Sequence, residues 1–171
     1  MRPLICALFL FAGVSLVAAQ ESKQDPPKRE KALESKDEGM RFGTEAWKRV
    51  APAAEKLYKE KGIDFVVETA VSPKGGADKI AMLKPAEREK FFKDFTDERA
   101  KELKLKGVHV FVSKQPPTLY VHVTESADLP KGFGTKLKDT LIASFKNDKF
   151  DEGLNKAIDM TLAAKGLGEK K

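Results

Sequence analysis

Three short runs rich in β-branched residues constrain this chain more than any other feature. They are Ile63 to Val71, Val108 to Ser113 and Leu119 to Thr124. The first alternates so that Ile63, Phe65, Val67, Thr69 and Val71 share one face. Lys114-Gln115-Pro116-Pro117 joins the last two runs and is short enough only for an antiparallel hairpin. The first two runs are separated by a helix-length segment, which favours a parallel, right-handed crossover. The expected fold is α/β, a small mixed sheet packed with about four helices.

The helices follow from spacing and stop signals. Trp47, Val50, Ala54, Leu57 and Tyr58 recur at helical intervals, and Gly62 after Lys59 and Lys61 marks a stop. Pro85 suits the first position of a second helix, with Phe92, Phe95, Ala100 and Leu103 as its stripe and Phe91 beside it. Thr135 is positioned to cap a third helix carrying Leu137, Leu141, Ile142 and Phe145. Asp148, with Asp151 three residues on, reads as a capping box for a fourth, whose face is Phe150, Leu154, Ala157, Ile158 and Leu162. The element order is then α-β-α-β-β-α-α.

The first residues read as a secretory signal. Arg2 precedes an apolar run from Leu4 to Val17, and Val17-Ala18-Ala19 offers small residues for cleavage after Ala19. That run is shorter than the roughly 20 residues that span a bilayer. Stable membrane insertion of the mature chain is therefore not expected, and the location is secreted or periplasmic. Residues 20–38 are polar, charged and contain Pro26-Pro27, which reads as a disordered tether. The domain is expected over 39–168, with a basic tail at 169–171. Cys6 is the only cysteine and leaves with the signal, which removes disulfides, thiol nucleophiles and Cys-based zinc from consideration. Loss of Arg2 takes the formal net charge from +6 to +5. The basic residues interleave with acids, as in Lys56-Leu57-Tyr58-Lys59-Glu60-Lys61, the pattern of a solvated helix face rather than a nucleic-acid surface.

Three places carry candidate chemistry. Glu125 and Asp128 follow the third run, and Asp64, near the start of the first, falls at the same sheet edge. Together they could hold calcium or another divalent metal, which favours several oxygen ligands, although Lys104 and Lys106 could pair with them instead. In the hairpin, a register that sets Ser113 against Thr118 also sets His109 against His122, Val110 against Val121 and Val112 against Leu119. Opposed imidazoles could share a transition metal or a proton, or be ordinary histidines on a half-exposed face. The loop Ser72-Pro73-Lys74-Gly75-Gly76 lies at the carboxyl end of the first run, where open α/β sheets bind ligands. Ser72, Lys74, Gly75 and Gly76 form the candidate anion site, though without P-loop spacing.

Several local words, in order, resemble the TPM domain family. They are Leu57-Tyr58-Lys59-Glu60-Lys61-Gly62, Asp64-Phe65-Val66-Val67-Glu68-Thr69, Gly75-Gly76, Lys106-Gly107-Val108, and the closing stretch Phe145, Asp148, Phe150-Asp151-Glu152-Gly153-Leu154 and Ala157. The resemblance spans roughly Phe42 to Leu167. It implies an exported or membrane-anchored α/β domain, in some relatives described as an acid phosphatase. It would set a metal or phosphate site just before the Gly-Val strand and after the next strand. Here those positions are Lys104-Leu105-Lys106 and Thr124-Glu125-Ser126.

Two functions follow as expectations. Metal-assisted hydrolysis of a phosphate ester needs a cation to neutralise developing charge and an aligned nucleophile. A non-catalytic accessory or binding module needs only a surface, with a membrane or envelope protein as its expected partner. The scattered carboxylates and two histidines favour the module.

Overall fold

The computed structural model describes residues 29–73 and 76–168. The expected signal, residues 20–28 of the expected tether, Lys74, Gly75 and the basic tail lie outside the described residues. The chain is a mixed α/β fold with a four-stranded sheet. Its elements are β1 (Lys36–Asp37), α1 (Thr44–Lys61), β2 (Asp64–Ala70), α2 (Ala77–Ala81), α3 (Pro85–Glu102), β3 (Gly107–Lys114), β4 (Pro117–Val123), α4 (Phe133–Phe145) and α5 (Phe150–Ala164). Strand order across the sheet is β1-β2-β3-β4.

The parallel pairing of the first two runs and the hairpin expected from sequence are present. β2 runs parallel to β3 with Asp64 beside Gly107 and Ala70 beside Ser113. β3 and β4 are antiparallel in the expected register, with His109 opposite His122 and Ser113 opposite Thr118. Side-chain alternation sets that register, because a slip of one residue would exchange the two faces. The sheet is wider than expected, because the tether is not structureless throughout. Lys36–Asp37 adds a parallel strand beside Glu68 and Thr69 of β2. Single polar side chains hold this arm, together with Leu33 packed against Val66, Ala100 and Leu105. Ser35 Oγ accepts from Val67 N at 2.9 Å, and Thr69 Oγ1 donates to Asp37 Oδ1.

One face of the sheet packs against α1, α4 and α5. Phe65, Val67, Val108, Val110 and Val112 meet Val50, Leu57, Leu137, Leu141, Leu154 and Ile158 there, all buried. The other face lies under α3, with the short α2 leading into it. α2 was not expected from sequence, and its five residues follow Gly76. Pro85 does open α3, and Lys84 with Glu87 completes the capping interaction.

Two expected caps are corrected. α4 starts at Phe133 after Gly132, so Thr135 lies inside its first turn. Asp148 adopts a left-handed φ of 57° before α5, and the Asp151 carboxylate accepts from Gly43 N at 2.8 Å, 108 residues away in sequence. The Asp151 side chain therefore ties α5 to the start of α1.

Two glycines in the quoted words have steric causes. A Cβ at Gly107 would fall 1.9 Å from the Asp64 carbonyl oxygen. One at Gly153 would fall 2.9 Å from Ser144 Cβ and from the Phe145 ring, where α4 turns tightly into α5.

Candidate functional site

Alternation along β2, β3 and β4 turns Glu68, His109, Phe111, Tyr120 and His122 toward α3. Two apolar clusters anchor that helix. Val66, Ala100 and Leu105 form one; Ile80, Phe92 and Phe111 form the other. Between them lies an ionic layer. Glu68 is 8% exposed and His109 is fully buried. Arg99 descends from α3 as a fork, donating from Nε to Oε2 of Glu68 at 2.9 Å and from Nη2 to Oε1 at 2.7 Å. His109 Nε2 meets Glu68 Oε2 at 3.1 Å, and the tautomer with hydrogen on Nε2 fits this contact. His109 Nδ1 is buried and has no partner among the described residues. Thr96 is also buried and satisfies its hydroxyl on the helix itself, through Phe92 O at 2.9 Å.

Burial pushes the Glu68 carboxyl up, but hydrogen bonds from His109 and Arg99 outweigh it and hold the group at about 2. The same carboxylate holds the Arg99 guanidinium above its ordinary range. Across the hairpin, His122 Nδ1 meets Asp97 Oδ1 of α3 at 2.8 Å. Burial pulls His122 below its ordinary value against the opposite pull of Asp97. Burial raises Asp97, yet Lys93 and His122 prevail and lower it.

The histidine pair is therefore opposed as expected, but it does not form a shared site. His109 turns to Glu68 on the neighbouring strand and His122 turns to Asp97 on the helix. On that face His109, Phe111 and Ser113 are buried beneath α3, while Thr118, Tyr120 and His122 of β4 stay partly exposed. Among the described residues, no group of three or more His, Cys, Asp or Glu could hold a metal ion.

The carboxylate cluster at the sheet edge is corrected as well. Asp64 is fully buried and already saturated. It accepts from Arg29 Nη2 at 2.5 Å, from Leu33 N at 3.2 Å and from Lys106 N at 3.4 Å. The expected lysine partners contribute only that one backbone amide; the cation is Arg29, supplied by the N-terminal arm. Glu125 and Asp128 stand exposed on a 3-10 turn, Glu125–Ala127, and its end. Lys165 lies 3.6 Å from the Asp128 carboxylate and donates to Asp128 O at 2.9 Å. In the third candidate, Ser72 Oγ donates to Pro73 O at 3.4 Å, its one partner among the described residues, and Gly76 takes a φ of 89° ahead of α2. Lys74 and Gly75 lie outside the described residues.

Sequence reading missed Glu68, Asp97 and Arg99. A signal existed for the first, an acid in the middle of an otherwise apolar strand, which demands a partner when buried. The partners are 31 and 41 residues away, on other elements.

Fold and layer together define a class, a small mixed-sheet α/β domain with helices on both faces and an ionic seam beneath one of them. No family model matches the chain, and no curated protein matches it. Among solved structures it is similar to the BA42 protein of the psychrophilic bacterium Bizionia argentinensis, determined by NMR. The identity is 17%, over 76% of this chain and 86% of that one, with a TM-score of 0.50. At that identity the likeness is one of fold.

Proposed function

We propose that this chain is an exported binding module of the TPM type, without catalysis of its own. The observation that carries the reading is the state of its acids and bases. Glu68, Asp64 and the Nε2 of His109 are buried and matched to partners, so they hold the fold together instead of facing a substrate. General acid–base chemistry needs a group within hydrogen-bond reach of a substrate proton, and a nucleophile needs an adjacent base. Glu125 and Asp128 face solvent on a surface turn instead.

Export rests on the segment Leu4 to Ala19, and a membrane or envelope protein is the partner class that location supplies. The TPM assignment rests on the order of elements and on the quoted words, two of which contain glycines the packing requires. Among the described residues, no helix is long and apolar enough to cross a membrane.

The test is an assay of phosphate-ester hydrolysis by the purified protein, with and without calcium, magnesium and manganese. The expected result is no turnover and no thermal stabilisation by any of the ions. Metal-dependent activity that disappears in Glu125→Ala or Asp128→Ala would replace this reading with the phosphatase one.

A further inference from the structure

The two edges of the sheet are finished differently. Beside β2, the N-terminal arm covers the edge, with Ser35 accepting from Val67 N and Lys36–Asp37 paired alongside. Beside β4, the described residues supply no further strand.

The direction of the β4 backbone groups follows from two hydrogen bonds. Thr124 N donates to Gly107 O at 2.9 Å, and these residues are opposite each other in the hairpin register. Asp64 N donates to Lys106 O at 2.8 Å, so the alternate residues Lys106, Val108, Val110 and Val112 turn their polar groups to β2. Antiparallel ladders alternate, so Thr118, Tyr120 and His122 bond inward to β3. The N–H and C=O groups of Leu119, Val121 and Val123 then point out of the sheet. From Thr118 to Thr124 this edge has no proline and no acidic, lysine or arginine residue, so it lacks the usual protection against strand addition.

Cations reach Tyr120 at this edge from both faces, Lys93 from α3 and Lys138 from α4. Lys138 belongs to α4, on the apolar-core face, yet its Nζ lies 5.5 Å from the ring centroid of Tyr120, which packs on the α3 face. Among the described residues Lys138 makes no ion pair.

We propose that the free edge of β4 takes up an extended, acid-bearing strand from a partner protein. The proposal rests on the binding-module reading and names its partner class. The main-chain groups of Leu119, Val121 and Val123 supply the ladder, and Lys138 selects a carboxylate on the added strand. A second copy of this chain fits less well. Antiparallel self-pairing centred on Val121 would bring two Lys138 ammoniums to the same axis, which like charge opposes.

The probe is a synthetic heptapeptide of alternating Thr and Val with a central Glu, compared with its central-Lys counterpart. Amide shifts of the labelled full-length protein are followed during titration. The Glu peptide should move Leu119, Val121 and Val123 and bind more tightly than the Lys peptide. Lys138→Glu should weaken the Glu peptide about fivefold and reverse the preference. Val121→Pro removes an N–H that the hairpin does not use, a substitution edge strands tolerate, and should weaken binding at least about tenfold. Equal binding of the two peptides, shifts mapping elsewhere, no binding, or concentration-dependent self-association through β4 would each overturn the proposal. None of these results would give the protein phosphatase activity. Hydrolysis would sink the parent reading while leaving the edge result intact.

Discussion

Against α1, α4 and α5 the sheet presents Phe65, Val67, Val108, Val110 and Val112, and the helices answer with Leu57, Leu137, Leu141, Leu154 and Ile158. Against α3 it presents Val66, Glu68, His109 and Phe111, and the helix answers with Ala100, Arg99 and Phe92. The first contact is held by apolar area, which is non-directional and tolerates volume-conserving exchange. The second sets a directional fork between two apolar patches. Sliding α3 along the sheet would unpair a buried carboxylate, so the ionic layer fixes position more strictly than apolar packing does.

The sharpest way to break this contrast is Glu68→Ala. It leaves the Arg99 fork and His109 Nε2 facing an apolar methyl. Breaking a buried charge pair from one side costs about 4 kcal/mol, so unfolding in urea at pH 7 should shift by that amount. A loss below about 1 kcal/mol would mean that the layer behaves like a surface ion pair. Changing the layer as a unit, with Glu68→Met, Arg99→Met and His109→Leu together, should be near neutral, because no charge is then left unpaired.

On the opposite face, Leu141→Ala should cost about 3.5 kcal/mol through lost burial and a residual cavity. Leu141 is fully buried among apolar side chains. Its penalty should therefore be the same at pH 7 and pH 4, which separates the two faces by mechanism.

Acid should act on the α3 face first. The Glu68 carboxyl is held at about 2 in the fold, against an ordinary value of 4.5. The unfolded chain therefore binds more protons in that interval. The stabilisation is complete above pH 4.5 and is lost as pH falls toward 2, at most about 3 kcal/mol. His122 works in the same direction from a higher pH. Its value is lowered from 6.5 mainly by burial, so its contribution is present above pH 6.5 and fades below it. Stability measured from pH 7 to pH 2 should fall in wild type, and its lower limb should flatten in Glu68→Gln. An unchanged lower limb would exclude Glu68 as its source.

The apolar face was far more legible in the sequence than the ionic one. Alternation alone sets Phe65 and Val67 on one side, and the hairpin register follows because valines then match valines. The N-terminal arm had no such pattern. Its two-residue strand is held by Arg29, Ser35 and Asp37 through polar contacts that no periodicity announces. The candidate metal cluster failed for a related reason. Asp64, Glu125 and Asp128 share a sheet edge, but sequence could not show that Arg29 reaches back to Asp64. Glu68 looked like a strand residue on the minor face, and its meaning depended on Arg99 descending from a helix whose angle the sequence does not specify.

A second arginine–carboxylate pair gives the smallest effect and the closest control. Arg49 on α1 and Asp159 on α5 meet with one nitrogen, Nη2, at 2.8 and 2.7 Å from the two carboxylate oxygens. Their side chains are 53% and 49% exposed, whereas those of Arg99 and Glu68 are 25% and 10% exposed. Water can solvate either member once the other is gone, and the contact lacks the two-nitrogen fork of Arg99. Asp159→Asn should therefore cost about 0.5 kcal/mol, falling toward zero in high salt. Both pairs join an arginine to a carboxylate, so the roughly eightfold difference expected from Glu68→Ala measures what burial, the two-nitrogen fork and the His109 contact add together. If Asp159→Asn destabilised the protein as much as Glu68→Ala does, burial would no longer distinguish the two pairs, and the ionic layer beneath α3 would lose its special role.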